Sequence, residues 1–347
     1  MNKPLIYDLS LNDISQTLAG WGEAEYRSRQ IWSGLYQSLW EKPDDFTPLS
    51  KTLRNQLFEN FSFSNLRPAK TIDSEDRTTQ KILFRLPDNN PVEAVKMNYR
   101  NRRTLCISTQ SGCAMGCIFC ATGQLGFKRN LSCGEIIEQV LYIARELAII
   151  GDRITNIVFM GMGEPFHNYT NVMEAIDRLN QKDGMNLGAR RFTISTVGIV
   201  PGIRKLTHEH HQINLAVSLH AATDELRSSM IPANKKYPIN ELMKSLDEYM
   251  NVTKRRVTFE WALIQEVNDT IDQAQKLAHL LKGKLAHVNL IPLNITAKYK
   301  GKSSSKQRQN DFKSILESNG IPCSVRLRRG IDIHAGCGQL ANSLSQG

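Results

Sequence analysis

The first sixty residues carry apolar side chains at the spacing of amphipathic helices. Between Leu9 and Phe61 these side chains recur at intervals that place them on one face of a helix. The positions that set the pattern are Ile14, Leu18, Ile31, Trp32, Leu35, Leu39, Leu53 and Leu57. We therefore predict a small helical accessory domain over residues 1–65.

Two strand-like runs follow, at 81–86 and 92–97, and a turn with two prolines and two asparagines separates them. This pattern predicts a β-hairpin within a connecting segment over residues 66–103. Beyond the hairpin, strand-like runs alternate with amphipathic helical stretches, which is typical of βα units and a parallel sheet. The predicted strands are 104–108, 156–160, 191–195, 214–219, 257–263, 287–291 and 324–327.

The alternation predicts an α/β fold in which residues 104–347 form a partial (βα)6 barrel of the TIM type. One of its helices is expected over 132–149, where Ser132 and Glu135 have the spacing of a capping box. The basic run 298–306 is expected to be a surface loop, and the chain contains no short internal repeat. In barrels of this kind the functional side chains gather at the C-terminal ends of the strands.

Composition narrows the functional classes. The chain has 347 residues, of which 41% are hydrophobic, so it can bury a large core. No apolar run is long enough to cross a bilayer, and the first residues lack the apolar stretch of a secretory signal, so we expect a cytoplasmic protein. The net charge of +10 favours a polyanionic partner, although many basic proteins bind no nucleic acid.

Three of the seven cysteines form the strongest chemical signal. Cys113, Cys117 and Cys120 have the spacing C-x3-C-x2-C directly after the first predicted core strand. Three thiolates on one loop can bind three irons of a [4Fe–4S] cluster and leave the fourth iron open to a small molecule. A zinc site with a distant fourth ligand and chance clustering are the alternatives, but structural zinc sites are usually built from C-x2-C pairs.

Polar residues and glycines follow several of the other predicted strands. Small residues let the backbone approach a ligand, and a carboxylate can pair with an ammonium group. Each of these residues taken alone is more often a turn or capping residue. The candidate ligand-binding positions are Gly163, Glu164, Ser195, Ser218, Leu219, His220 and Asn294.

Five segments together resemble the RlmN and Cfr group of radical S-adenosylmethionine (SAM) RNA methyltransferases. They are TLCISTQSGC at 104–113, CIFCATGQLGF at 117–127, FMGMGEP at 159–165, VSLH at 217–220 and CGQL at 337–340. The resemblance covers nearly the whole chain. It implies a [4Fe–4S] cluster on the three cysteines, and SAM bound with its amino group at Gly163 and Glu164.

The resemblance also implies roles for three further residues. Cys337 corresponds to a cysteine that takes a methyl group from one SAM and becomes S-methylcysteine. A 5'-deoxyadenosyl radical made from a second SAM then removes a hydrogen atom from this methyl group, and the carbon radical adds to adenine. Cys106 matches the cysteine that attacks Cys337 to release the product as a disulfide forms, and Glu93 matches the proton acceptor.

Other features qualify this picture. Cys133 and Cys323 match no functional residue of the family, and we expect both to be packing residues. The segment 328–337 is less acidic than in RlmN members and has Gly336 where they carry alanine, which affects the positioning of the Cys337 loop and the substrate range. The segments 124–127 and 107–110 are more similar to RlmN than to Cfr.

RlmN-type proteins methylate carbon 2 of an adenosine in 23S rRNA and adenosine 37 of tRNA, whereas Cfr-type proteins methylate carbon 8 and cause antibiotic resistance. The basic segments 100–103, 254–256 and 298–306 are candidates for RNA contacts, or for an ordinary solvated face. We expect an electron donor such as flavodoxin or ferredoxin, no membrane association, and a monomer. A nucleic-acid-binding protein with a structural or redox-sensing cluster is the alternative of a different class.

Overall fold

The computed structural model describes residues 3–209 and 211–340. The N-terminal region is helical, as predicted, and its helices are α1 (Leu11–Gly20), α2 (Tyr26–Tyr36) and α3 (Lys51–Asn60). Their apolar faces are buried in the same hydrophobic cluster as the core of the rest of the molecule. The division into three domains at residues 65 and 103 stays a prediction. The last seven residues of the predicted barrel segment 104–347, residues 341–347, lie outside the described residues.

The rest of the described chain is built on a ten-stranded sheet and a small two-stranded sheet. The strands are β1 (Arg67–Asp73), β2 (Thr79–Arg85), β3 (Pro91–Tyr99), β4 (Arg102–Cys106), β5 (Gln110–Gly112), β6 (Phe127–Asn130), β7 (Asn156–Phe159), β8 (Phe192–Thr196), β9 (Asn214–Ser218), β10 (Val257–Leu263), β11 (Ala286–Pro292) and β12 (Cys323–Val325).

The large sheet has the order β1-β2-β3-β4-β7-β8-β9-β10-β11-β12. From β4 to β12 each strand is parallel to its neighbour, whereas β1 to β4 form an antiparallel meander. The α/β fold with a parallel sheet is therefore confirmed, and all seven predicted core strands and the predicted hairpin are present. Strand β1 and the β5-β6 pair were not predicted.

Helices connect the parallel strands, as a βα array requires. They are α4 (Ala121–Leu125), α5 (Cys133–Ile149), α6 (Tyr169–Asn180), α7 (Val200–His208), α8 (Asp224–Met230), α9 (Ile239–Thr253), α10 (Ile271–Leu281) and α11 (Lys306–Ser318). The capping box predicted at the start of α5 is present, since the Ser132 hydroxyl accepts from the Glu135 N–H and the Glu135 carboxylate accepts from the Ser132 N–H. Within residues 3–209 and 211–340, no helix is long and apolar enough to cross a bilayer.

The register of the sheet brings hairpin residues to the first core strand. Lys81 of β2 lies opposite Val95 of β3, Val95 lies opposite Cys106 of β4, and Cys106 lies opposite Val158 of β7. Glu93 is two residues from Val95 and therefore faces the same side of the sheet. The hairpin thus adds side chains to the edge of the barrel at which β4 ends.

Candidate active site

A large cavity opens at the C-terminal ends of the parallel strands and contains about 1070 Å³ of space, part of it open to solvent. Ten of the thirteen predicted site residues line it, as expected if functional side chains gather at the C-terminal ends of the strands in a βα barrel. These ten are Cys113, Cys117, Cys120, Gly163, Glu164, Ser195, Ser218, His220, Asn294 and Cys337.

A tight loop carries the three clustered cysteines. It begins after β5 at Gly112, whose φ of +74° and close approach to the Gly126 carbonyl leave no room for a side chain: a Cβ would lie 1.9 Å from that oxygen. The Cys113 N–H donates to the same carbonyl at 3.1 Å. The β5-β6 pair, which the sequence did not reveal, therefore shapes the cysteine loop.

The three thiols fit an iron–sulfur cluster better than a single metal ion. Burial raises the pKa of Cys113 to about 12 and also raises the pKa of Cys117 and of Cys120. Binding to iron removes these thiol protons, so cluster assembly would release them. No three Cys, His, Asp or Glu side chains of the described chain converge to hold one ion, whereas a cluster needs each thiolate on its own iron.

Glu164 is a buried carboxylate in the wall of the large cavity. It follows β7, is 2% exposed, and its two carboxylate oxygens accept from the N–H groups of Val197 at 2.8 Å and Phe166 at 3.0 Å. Burial raises the pKa of Glu164 to about 7, although these backbone donors oppose the rise. Gly163 has φ +104° and packs against Gln110, whose side-chain oxygen accepts from the Glu164 N–H.

His220 contributes a neutral imidazole to the cavity wall. Its Nδ1 accepts from the Ala262 N–H at 2.8 Å, so the ring proton is on Nε2. Burial lowers the pKa of His220 to about 3, and the nearby Arg227 acts in the same direction. Ser195 and Ser218 add hydroxyl groups from the ends of β8 and β9.

A smaller cavity of about 590 Å³ adjoins the large one. Cys106 and Cys337 both line it, and Cys337 and Asn294 line the large cavity as well. No two cysteines of the described residues are joined by a disulfide. Burial raises the pKa of Cys106 to about 12, while the guanidinium of Arg326 acts in the opposite direction. Cys337 therefore stands at the wall that separates the two cavities.

The loop that carries Cys337 is fastened to the cysteine loop and to the end of β11. The Ala121 N–H donates to the Gly338 carbonyl at 2.7 Å, and the Asn294 Nδ2 donates to the Cys337 carbonyl at 3.0 Å. The Thr122 hydroxyl donates to the Leu340 carbonyl at 2.6 Å. These bonds connect Cys337 directly to the cluster ligand segment.

Two predicted site residues lie outside both cavities. Glu93 is 0% exposed, and its Oε1 is 3.7 Å from the Nζ of Lys81, which also donates to the His334 carbonyl at 3.3 Å. Glu93 is thus connected through Lys81 to the Cys337 loop. The Leu219 side chain is buried in the hydrophobic core, and only its neighbours in the SLH segment reach the large cavity.

Two charged residues of the site were missed by sequence reasoning. Arg326, just after β12, lines both cavities, and Glu260 of β10 lines the large one. The Asn289 Nδ2 donates to Glu260 at 2.9 Å, and burial raises the pKa of Glu260 while Arg326 opposes the rise. A carboxylate inside the apolar run of β10 was a usable signal, since such residues are rarely buried without a role.

Known proteins resemble both the N-terminal helical region and the βα array of this chain. Residues 107–278 match the family model of the Radical SAM superfamily, and residues 5–62 match that of the ribosomal RNA large subunit methyltransferase N-terminal domain. A probable dual-specificity RNA methyltransferase RlmN of Chloroflexus aurantiacus is 47% identical, over 98% of this chain and 93% of that protein. A dual-specificity RNA methyltransferase RlmN of Myxococcus xanthus is 45% identical, over 96% and 93%.

Among solved structures, a radical SAM methyltransferase from Sphaerobacter thermophilus superposes with a TM-score of 0.95. Its sequence is 48% identical, and the alignment covers 97% of this chain and 98% of that one.

Proposed function

Because the chain belongs to the RlmN family of the radical SAM superfamily, we propose that it methylates carbon 2 of an adenosine in 23S rRNA, and adenosine 37 of tRNA. The observation that carries this proposal is the position of Cys337 between two cavities. One thiol can then receive a methyl group on the cluster side and pass it to a base on the other side.

The chain's own residues have distinct tasks in this proposal. Cys113, Cys117 and Cys120 hold the cluster, while Glu164 holds the ammonium group of SAM, helped by the other polar residues of the large cavity. The bound cluster and SAM supply a one-electron route, which is needed because carbon 2 of adenine is not nucleophilic. Cys337 carries the methyl group as S-methylcysteine, so one turnover consumes two SAM molecules.

Product release is the task of Cys106. Once the methylene carbon has bonded to adenine, the adduct must lose its unpaired electron, which the bound cluster would take back, and the proton of carbon 2. The Cys106 thiolate then attacks the sulfur of Cys337, and the bond between that sulfur and the methylene carbon breaks. The electron pair stays with the carbon, which takes a proton and becomes the methyl group, while the two sulfurs form a disulfide. Arg326 lines this cavity and favours the Cys106 thiolate. We assign to Glu93 the proton that carbon 2 loses. Lys81, whose Nζ lies 3.7 Å from the Glu93 Oε1 and donates to the His334 carbonyl, is the group between Glu93 and the Cys337 loop.

RNA recognition is assigned to the arginine-rich rim of the small cavity. The ring of Tyr99, which lines this cavity, lies between the guanidinium groups of Arg102 and Arg329, at 4.2 and 4.5 Å from its centroid. Guanidinium planes and aromatic rings stack with unpaired bases, and guanidinium groups bind phosphates. Extracting the target base from its stack costs a few kcal/mol, which such contacts offset.

The regiochemistry is tested by mass spectrometry of digested RNA. Anaerobically reconstituted protein is incubated with SAM, a reductant and unmethylated 23S rRNA or tRNA. We expect 2-methyladenosine from both RNAs. Formation of 8-methyladenosine would instead make the chain a Cfr-type enzyme, and SAM that stays intact under reducing conditions would leave only a binding or redox-sensing protein.

The roles of the two cysteines are tested separately. Cys106→Ala should trap a covalent protein–RNA adduct, and Cys337→Ala should abolish methylation while the cluster remains. Cys323→Ala is the matched control, because Cys323 packs against the core away from both cavities. Normal release of methylated RNA by Cys106→Ala would exclude Cys106 from the release step.

A further inference from the structure

Three exposed aliphatic side chains surround the cysteine loop on the outside of the barrel. Ile118, between Cys117 and Cys120, is 38% exposed, Leu125 at the end of α4 is 39% exposed, and Ile295 after β11 is 72% exposed. None of the three lines either cavity. They are therefore not part of the ligand site, although Ile118 directly follows Cys117 and Leu125 ends the helix that follows Cys120.

Gln124 connects these three positions. Its Nε2 donates to the Ile118 carbonyl at 2.6 Å and to the Thr296 hydroxyl at 3.3 Å, and its carbonyl accepts from the Lys298 Nζ at 3.4 Å. Ile118, Leu125 and Ile295 are each either one of these bonded residues or the direct chain neighbour of one. We call this group, with Lys298, the aliphatic patch.

The chain segments that form and adjoin the aliphatic patch contain lysines and no acidic residue. The segments 114–128, 230–236 and 293–302 contain six lysines but no Asp, Glu or Arg. Segment 230–236 belongs to the same surface, because the Ile118 N–H donates to the Met230 carbonyl at 3.1 Å. The lysines are Lys128, Lys235, Lys236, Lys298, Lys300 and Lys302, and all six are exposed.

This composition differs from that of the small-cavity rim. The rim has Tyr99 stacked with two arginines, which suits bases and phosphates. The aliphatic patch has branched apolar side chains and ammonium groups, the pattern of an apolar centre with a charged border that is found at protein–protein contacts. The ammonium groups of bordering lysines attract an acidic partner electrostatically and speed its association. They do not impose the fixed two-bond geometry that an arginine guanidinium group forms with a carboxylate or phosphate.

We propose that the aliphatic patch is the docking surface for an acidic one-electron carrier protein, which reduces the cluster across the loop between Cys117 and Cys120. The inference rests on the proposed function, because that chemistry requires the cluster to gain one electron as the carrier loses one. Ile118 lies between Cys117 and Cys120 in the chain and is 38% exposed, so a carrier that touches it is one residue along the chain from a cluster ligand. Transient redox contacts bury little surface, so they do not require a larger apolar area than a few side chains.

The test uses the cluster-containing protein and a bacterial flavodoxin as the acidic carrier. In Lys298→Glu/Lys300→Glu the border charge is reversed, and in Ile295→Gln the apolar centre is altered. The matched control is Lys182→Glu/Lys282→Glu, which makes the same charge change at exposed lysines that follow α6 and α10, at the opposite end of the barrel.

Binding and reduction are measured independently. Calorimetry gives the Kd of oxidised flavodoxin at two salt concentrations, and anaerobic stopped-flow absorbance gives the rate of cluster reduction by flavodoxin hydroquinone. We expect the charge reversal to weaken binding and slow reduction about tenfold or more at low salt, an effect that shrinks at high salt. Ile295→Gln should weaken binding at both salt concentrations, and the control should match the wild type.

Two further measurements separate the alternatives. Dithionite, which needs no docking surface, should reduce the cluster of every variant at the wild-type rate, and RNA affinity should be unchanged. The proposal would be overturned if Lys298→Glu/Lys300→Glu bound flavodoxin as tightly as the wild type. It would also be overturned if this variant lost affinity for RNA and not for flavodoxin. Failure of the proposed function would look different, since the wild type reduced by dithionite would then not methylate RNA.

Discussion

Replacing Glu164 with glutamine tests the placement of SAM in the large cavity. The carboxylate is held by the N–H groups of Val197 and Phe166, and its charge is directed into the cavity. A glutamine has one oxygen, so it can accept from one of these donors, and its amide nitrogen faces the other. The variant therefore loses a charge-assisted bond to the ammonium group of SAM and also the alignment of the remaining oxygen.

The size of the effect follows from the type of bond. A hydrogen bond between charged groups contributes about 1.5–3 kcal/mol, which corresponds to about a 10- to 150-fold increase in the Kd of SAM. Equilibrium dialysis or calorimetry with cluster-containing protein measures this Kd, and iron content is measured in the same samples to show that the cluster is intact.

Glu260→Gln is the matched control for Glu164→Gln. It removes a buried carboxylate from the same cavity, but the glutamine oxygen can keep the bond from Asn289, and Arg326 balances the charge of the native group. We expect a much smaller loss of SAM affinity. If Glu164→Gln bound SAM as tightly as the wild type with a full cluster, the ammonium group would have to lie elsewhere.

Three further predictions concern the framework of the site. Arg227→Met should lower the free energy of unfolding by about 1–3 kcal/mol, because the carbonyls of Val197, Ser218 and Leu219 lose the donor that the buried Arg227 supplies. Urea denaturation, compared with the half-exposed Arg204→Met, checks this, and equal losses would contradict it. Burial raises the pKa of Glu138 to about 8, so the folded chain keeps a proton that the unfolded chain releases above about pH 4.3. The free energy of unfolding should therefore fall as the pH rises from 5 to 8. Glu138→Gln should flatten this pH dependence in urea denaturation, and an unchanged pH dependence would assign it to other groups. Gly338→Ala and Gly283→Ala place alanine at φ +79° and +75°, and each should lower the free energy of unfolding by about 1–2 kcal/mol. Only Gly338→Ala should also slow RNA methylation. Equal methylation rates of the two variants would show that the Cys337 loop tolerates the strain.

The sequence predicted the parts of the fold that bury one face. Strands β8 and β11 alternate fully buried with half-buried residues, so their sequences show the two-residue period of a strand with one apolar face. Strand β1 has almost no buried residue, since it is the exposed edge of the sheet and begins with Arg67 and Pro68. An edge strand of this kind has no alternation to detect, and β5 and β6 are too short for a period to be recognised.

Site residues were predictable where they follow the end of a strand. They were not predictable where their role depends on the direction in which the fold points the side chain. Glu164, Ser195 and Ser218 were found because each stands at the end of a predicted strand. Arg326 was missed although it also ends a strand, because the run Arg326-Leu-Arg-Arg329 has the composition of a basic surface segment. In the folded chain Arg326 lines both cavities, whereas the adjacent Leu327 is 77% exposed. The composition of the run does not reveal this difference.

The Cys337 loop shows why the glycines around a reactive thiol need not signal freedom of movement. A Cβ at Gly336 would lie 2.6 Å from the Asn294 Nδ2, so this glycine permits the close approach that lets Asn294 bond the Cys337 carbonyl. Gly338 adopts φ +79°, which turns the chain back toward the cysteine loop, where its carbonyl accepts from Ala121. Both glycines therefore fix the backbone on either side of Cys337. In the proposed reaction the thiol would therefore exchange partners by rotation of its side chain, since Cys337 lines both cavities.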